Sequence, residues 1–171
     1  MNKKEYSIVY YNNPILNQKC EKVEKVDNSI IEFSNILISM MIKYDGIGLA
    51  ANQIGNNKCI IAIAGIEPFN SPFILINPKI VSYINPIVTF EEGCLSFPKL
   101  YLSIDRPEGV IVEYQDLNLN KKTIEAHELL SRVLQHEIDH INGIRFIDRI
   151  CQEKLKNIEA ILDSINRRYN G

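Results

Sequence analysis

The string Gln135-His136-Glu137-Ile138-Asp139-His140 sets two imidazoles four residues apart, with a carboxylate directly after the first. On a helix such residues project from one face a turn apart, so His136 and His140 can grip a single metal ion. Glu137 then reaches a water on that ion, the general-base position of HExxH hydrolases. The bland alternative is two histidines decorating a helix. With only three histidines in the chain, chance rarely produces this spacing, which favours the metal. A hydrolytic site of this kind needs three protein ligands and an open position. The pattern HExxHxxGxxH fails downstream: Gly143 matches, but Phe146 stands where the third histidine belongs. A downstream carboxylate would be Glu159, nineteen residues past His140 on a stretch that reads as solvated helix. Upstream, Glu91-Glu92-Gly93-Cys94-Leu95-Ser96-Phe97-Pro98 puts a cysteine where a β-run breaks and a side chain can turn inward. Cys94 is the natural third ligand by this reasoning, and an inert buried cysteine is the competing reading. His127 precedes the helix out of register with the pair and is expected in a supporting role.

A third string, Gly46-Ile47-Gly48-Leu49-Ala50-Ala51-Asn52-Gln53-Ile54-Gly55, is rich in small residues that let backbone and substrate approach closely. Gln53 adds a neutral amide, which can stabilise charge on a carbonyl oxygen without acting as a base. Alone, this string also fits an ordinary helix-to-strand turn.

These residues need a scaffold. From Ser29 to Tyr44 apolar residues recur at helical spacing behind an Asp27-Asn28-Ser29 cap region, with Gly46 as a stop, which predicts a helix. Runs rich in Ile, Val, Phe and Tyr at 58–66, 72–76, 79–84, 87–91 and 109–115, cut by prolines, predict short, mainly antiparallel strands. Helices are predicted from Glu128 to Asn142, carrying the two histidines, and from Lys154 to Tyr169. The class is α+β: antiparallel β-sheets around a central HExxH helix, flanked by an N-terminal and a C-terminal helix.

At 171 residues the chain fits one domain, 1–171, with 151–171 as its closing helix. Hydrophobic residues at 46% and charged residues at 23% suit a folded protein. A net charge of -2 gives no basic footprint for nucleic acid. The longest apolar run, Cys59 to Ile66, is too short to span a bilayer, and the start lacks a signal-length apolar stretch, so no membrane is expected and the cytoplasm is the expected location. Four cysteines at irregular spacing predict free thiols.

GIGLAANQIG, EGCLSFP and QHEIDHINGIRFIDR, in this order and at these separations, resemble the peptide deformylase family of bacterial type. The resemblance spans about residues 5 to 150, including SIVYYNNPILNQKCEKV, which looks like the family's N-terminal strand and turn. It implies Cys94, His136 and His140 as metal ligands and Glu137 as catalytic acid/base, with Gln53 and the Leu95 backbone N–H as donors to the formyl oxygen. Gly48 and Ile47 are implied near the substrate backbone, Leu129 and Val133 in the methionine side-chain pocket, and Arg106 among the substrate-binding residues. One divalent ion per chain follows, with Fe²⁺ the native ion and Zn²⁺ or Ni²⁺ able to bind. The implied reaction removes the N-formyl group from N-formylmethionyl peptides of nascent chains and releases formate. A ribosome contact through the C-terminal helix, with Lys154, Lys156, Arg167 and Arg168, is a further expectation. Two other readings compete: an HExxH endopeptidase, which would take its third ligand downstream, and a non-catalytic scaffold, which would lack Glu137, Gln53 or a ligand.

Overall fold

The computed structural model describes residues 5–169. Asp27 caps the first helix, α1 (Asn28–Lys43), its carboxylate accepting from the Ser29 and Ile30 amides. Five strands follow: β1 (Gly48–Ala50), β2 (Ile60–Ile63), β3 (Phe73–Cys94), β4 (Phe97–Gln115) and β5 (Lys121–His127). They form one antiparallel sheet whose spatial order is the chain order. Helix α2 (Glu128–Ile141) returns across the sheet, and α3 (Gln152–Tyr169) ends the described chain. The architecture is α+β, three helices around an antiparallel sheet, as the sequence predicts.

The strands depart from the sequence expectation in several ways, the expected runs including neither β1 nor the first part of β4, at 97–108. The runs at 72–76, 79–84 and 87–91 are one strand, β3, of 22 residues. Its pairing with β4 shifts register between Ile76 and Lys79 and between Ile84 and Ile87, where Pro78 and Pro86 fall. Proline lacks an N–H for the ladder, and a bulge absorbs it without ending the strand. β5 was not predicted: only Ile124 and Ala126 face the core, and the rest of Lys-Lys-Thr-Ile-Glu-Ala-His is exposed. The described part of the N-terminal segment, residues 5–13, forms no strand. It runs extended, held by Val9 N–H to Gln53 O (2.8 Å) and Tyr11 N–H to Ser96 O (2.9 Å).

Every residue of α2 from Leu130 to Ile141 is buried. On the sheet side Leu130, Val133, Leu134, Ile138 and Ile141 pack on Ile61, Ile63, Val110 and Val112. The polar residues of α2 are therefore also inside and must find partners there. At its end Gly143, at φ +74°, donates to His140 O while Ile144 donates to Asp139 O, closing the last turn in the left-handed cap that glycine favours. A side chain there would also meet Asn17 O at 2.8 Å. A second apolar cluster joins α1 to the sheet, and a third joins Phe97, Leu100 and Ile104 of β4 to Phe146, Leu162 and Ile165. Among the described residues no helix is long and apolar enough to cross a membrane.

Candidate metal centre and cleft

His136 and His140 face the same side of α2, their ring centroids 5.0 Å apart. β3 ends against them at Cys94, whose Sγ lies 3.2 Å from His140 Nε2. One ligand atom from each of Cys94, His136 and His140 falls within 4.8 Å of the others, which suits a single ion. A thiolate with two imidazoles is a donor set for Fe²⁺, Zn²⁺ or Ni²⁺ and not for Mg²⁺ or Ca²⁺.

The ligands are held from behind. Glu92 lies two residues before Cys94 on β3, and its carboxylate accepts from His136 Nδ1 at 3.0 Å. An acceptor there fixes the proton on Nδ1 and leaves Nε2 free to bind a cation. Glu92 also accepts from Arg106 Nε (2.7 Å), Arg106 Nη2 (3.0 Å) and Arg132 Nη1 (3.0 Å). Burial pushes its carboxyl up, but hydrogen bonds from His136 and Arg106 outweigh that and hold it at about 2. Arg106 reaches on to Asp139 Oδ2 at 2.7 Å, and Arg149 pairs with the same carboxylate.

His140 is kept well below the usual imidazole range, by burial and then by the charge of His136, so it presents a neutral ring. Burial would do the same to His136, but Cys94 and Glu92 outweigh it and hold it well above that range. The pocket is a well for positive charge, filled by a proton or by a metal ion. Buried atoms without a partner, His140 Nδ1 and Glu137 Oε2, lie in this same region. Glu137 is lifted to about 7, first by burial and then by the charge of Glu92 acting against that of His136.

Gln53 stands opposite, on a short 3₁₀ turn, Ala51–Ile54. Asn52 ties that turn to α2 by donating to His140 O at 2.6 Å. Gln53 Oε1 accepts from Ala50 N–H at 2.8 Å, which turns Nε2 toward Cys94 Sγ (3.5 Å) and Ser96 Oγ (3.3 Å). β1 passes so close to α2 that a Cβ on Gly48 would meet Glu137 Oε1 at 2.6 Å and Val133 Cγ1 at 2.7 Å. A cleft of about 440 Å³ opens here, lined by Ile47, Gly48, Gln53, Cys94, Leu95, Leu129, Val133, His136 and Glu137.

Ten of the eleven residues singled out from the sequence thus meet at one site; His140 lies under the cleft beside Cys94. Arg106 is the exception. It does not line the cleft, because its guanidinium is buried between Glu92 and Asp139, behind the ligands. His127 is exposed and pairs with Glu108 and Glu125, away from the centre. Glu159 is exposed on α3. Sequence reading missed Glu92, Arg132 and Asp139 as supports. The signal was local: Glu92 shares a strand face with Cys94, and Arg132 sits one helical turn before His136. All four cysteines are free thiols, as predicted.

A neutral ring and a cysteine sulfur around a cation well, with a buried carboxyl poised near neutrality beside them, make this a metal-dependent hydrolase centre. Comparison with known proteins narrows the class. The family model described as polypeptide deformylase matches residues 5–156. A peptide deformylase of Picosynechococcus sp. is 41% identical over 165 residues, 92% of this chain and 88% of that one. Among solved structures, a plant peptide deformylase superposes with a TM-score of 0.90 at 32% identity, covering 99% of this chain and 94% of its own. One from Synechococcus elongatus, solved in complex with actinonin, gives 0.83 at 35% identity, covering 99% and 88%. The chain belongs to the peptide deformylase family.

Proposed function

We propose that this protein removes the formyl group from N-formylmethionyl peptides by hydrolysis, as one catalytic domain. The observation that carries the reading is the meeting of Cys94, His136 and His140 within 4.8 Å at the floor of a cleft that Glu137 and Gln53 also line. Cys94, His136 and His140 would hold a divalent ion, with Fe²⁺ the proposed native one, which would supply Lewis acidity and a water of pKa lowered toward ~7.

The remaining steps belong to the chain. Glu137 accepts the proton of the attacking water as oxygen bonds to the formyl carbon, then delivers it to the departing α-amine as the C–N bond breaks. A carboxyl near 7 suits both transfers, since it is as ready to take a proton as to return it. Gln53 Nε2 and the Leu95 N–H donate to the formyl oxygen as charge develops on it, and the Ala50 bond to Gln53 Oε1 orients the amide in advance. Gly48 and Ile47 lie along the peptide backbone, and Leu129 and Val133 receive the methionine side chain. Products are formate and a free amino terminus. An HExxH endopeptidase with a downstream ligand does not fit, because Glu159 is exposed on α3.

The test is formate release from formyl-Met-Ala-Ser by anaerobically purified protein, with metal content assayed alongside. Wild type should release formate, Glu137→Ala should keep its metal and lose activity, and Cys94→Ala should lose the metal. Metal-replete wild type that releases no formate would falsify the reading.

A further inference from the structure

The ligands, Glu137 and Gln53 occupy the floor of the cleft, while tyrosines wall its mouth. Tyr10, Tyr44 and Tyr169 all line it. Tyr10 belongs to the extended N-terminal segment, and the amides on either side of it are clamped to the site: Val9 N–H to Gln53 O and Tyr11 N–H to Ser96 O. The side chains of Gln53 and Ser96 themselves meet beside Cys94, at 3.3 Å. The backbone of Tyr10 is therefore fixed relative to the reacting centre. Tyr169 stacks on it with ring centroids 4.2 Å apart and planes 27° from parallel.

Tyr169 arrives from the far end of the chain, in the last turn of α3. Ile165, one turn earlier on the same face, is buried with Leu162 against Phe97 and Leu100 of β4. Phe97 begins the strand that follows the Cys94 turn. The packing that seats α3 on β4 thus carries Tyr169 to the mouth of the cleft. Both tyrosines are half-buried, each ring packed on the other, with Arg168 also over the Tyr169 ring at 5.5 Å, and both residues line the cleft. The cleft volume falls in the ~300–1,000 Å³ range of sites that enclose drug-sized ligands, room for more of a peptide than its first residue.

We infer that the Tyr10–Tyr169 stack is a contact wall for the peptide residues that follow the formylated one, which makes the C-terminal helix part of the substrate site. The inference rests on the deformylase reading. Tyrosines suit the task, giving large contact area from a side chain with little rotamer freedom to lose. An apolar or aromatic side chain at the third residue of the substrate gains most from them.

The experiment compares kcat/KM for formyl-Met-Ala with that for formyl-Met-Ala-Phe-Ser, on metal-loaded wild type, Tyr10→Ala, Tyr169→Ala and Tyr169→Phe. The ratio of long to short substrate should fall about tenfold in both alanine variants, the scale of one aromatic contact, and chiefly through KM. Tyr169→Phe keeps the ring and should keep the wild-type ratio. Because a ratio is read, a general loss of fold or metal cancels. An unchanged ratio in both alanine variants overturns the contact wall. Wild type inactive on both peptides instead overturns the deformylase reading.

Discussion

Gly48→Ala should separate catalysis from stability, because the added methyl presses on Glu137 and Val133. A Cβ built on Gly48 lies 2.6 Å from Glu137 Oε1, 2.8 Å from Glu137 Cγ and 2.7 Å from Val133 Cγ1. Ordinary contact begins at 3.4 Å, so the carboxylate must recede by about 0.8 Å. The obstacle is the end of a side chain and not backbone, so the fold yields easily: overpacking of this kind costs about 1–3 kcal/mol, a drop of several degrees in Tm. Catalysis does not yield so easily. Misplacing a reacting group by ~1 Å costs on the order of 10²-fold in rate. The assay is formate release with metal content and thermal melting measured on the same preparation. The expected outcome is kcat down roughly a hundredfold, metal occupancy as in wild type and a cooperative melt. A variant with kcat within a few fold of wild type would refute the argument, since Glu137 would then not need its present position.

Acid should weaken the molecule through Glu92. Its folded carboxyl sits at about 2 against an ordinary 4.5, so the stabilisation is complete above 4.5 and is lost as pH falls through about 2. At ~1.4 kcal/mol per pH decade that interval is worth roughly 3 kcal/mol. Urea unfolding of wild type and Glu92→Gln should show this gap at pH 6 and a closing gap toward pH 2; a gap independent of pH would count against the ion-pair network. Burial pushes the Cys20 and Cys59 thiols to about 12 and about 11, while Cys151 is exposed. Alkylation of the metal-loaded protein at pH 8, read by mass spectrometry, should mark Cys151 first and reach Cys20 and Cys59 only on unfolding. Equal rates at Cys20 and Cys151 would mean the N-terminal segment opens freely.

The parts legible in the sequence are those fixed over a few residues. His136 and His140 share a face because a helix has 3.6 residues per turn, and Cys94 stands where its β-run must turn. What stayed hidden depends on distant partners. Nothing in the local sequence of Arg106 says that Glu92 and Asp139 will enclose it, so an arginine near the cysteine string reads as substrate-binding, while the structure pairs its guanidinium with these two carboxylates. β5 was invisible because a strand covered on one face needs only two inward residues, and Lys121, Lys122, Glu125 and His127 face water. Pro78 and Pro86 read as strand ends, yet pairing with β4 continues past both. Tyr10 and Tyr169 are 159 positions apart, and no periodicity links them.

The sheet runs from β1 to β5 in chain order, and α2 then carries the chain back until Glu137 touches Gly48 of the first strand. The polypeptide is a bracelet and the catalytic centre is its clasp. Links can be added to a bracelet anywhere except at the clasp. The turns at 64–72 and 116–120, which join β2 to β3 and β4 to β5, are the places where insertions should leave the site undisturbed. At 44–48 and 94–97 a single added residue would move one half of the clasp against the other, so insertions there should cost activity where those in the loops outside the cleft do not.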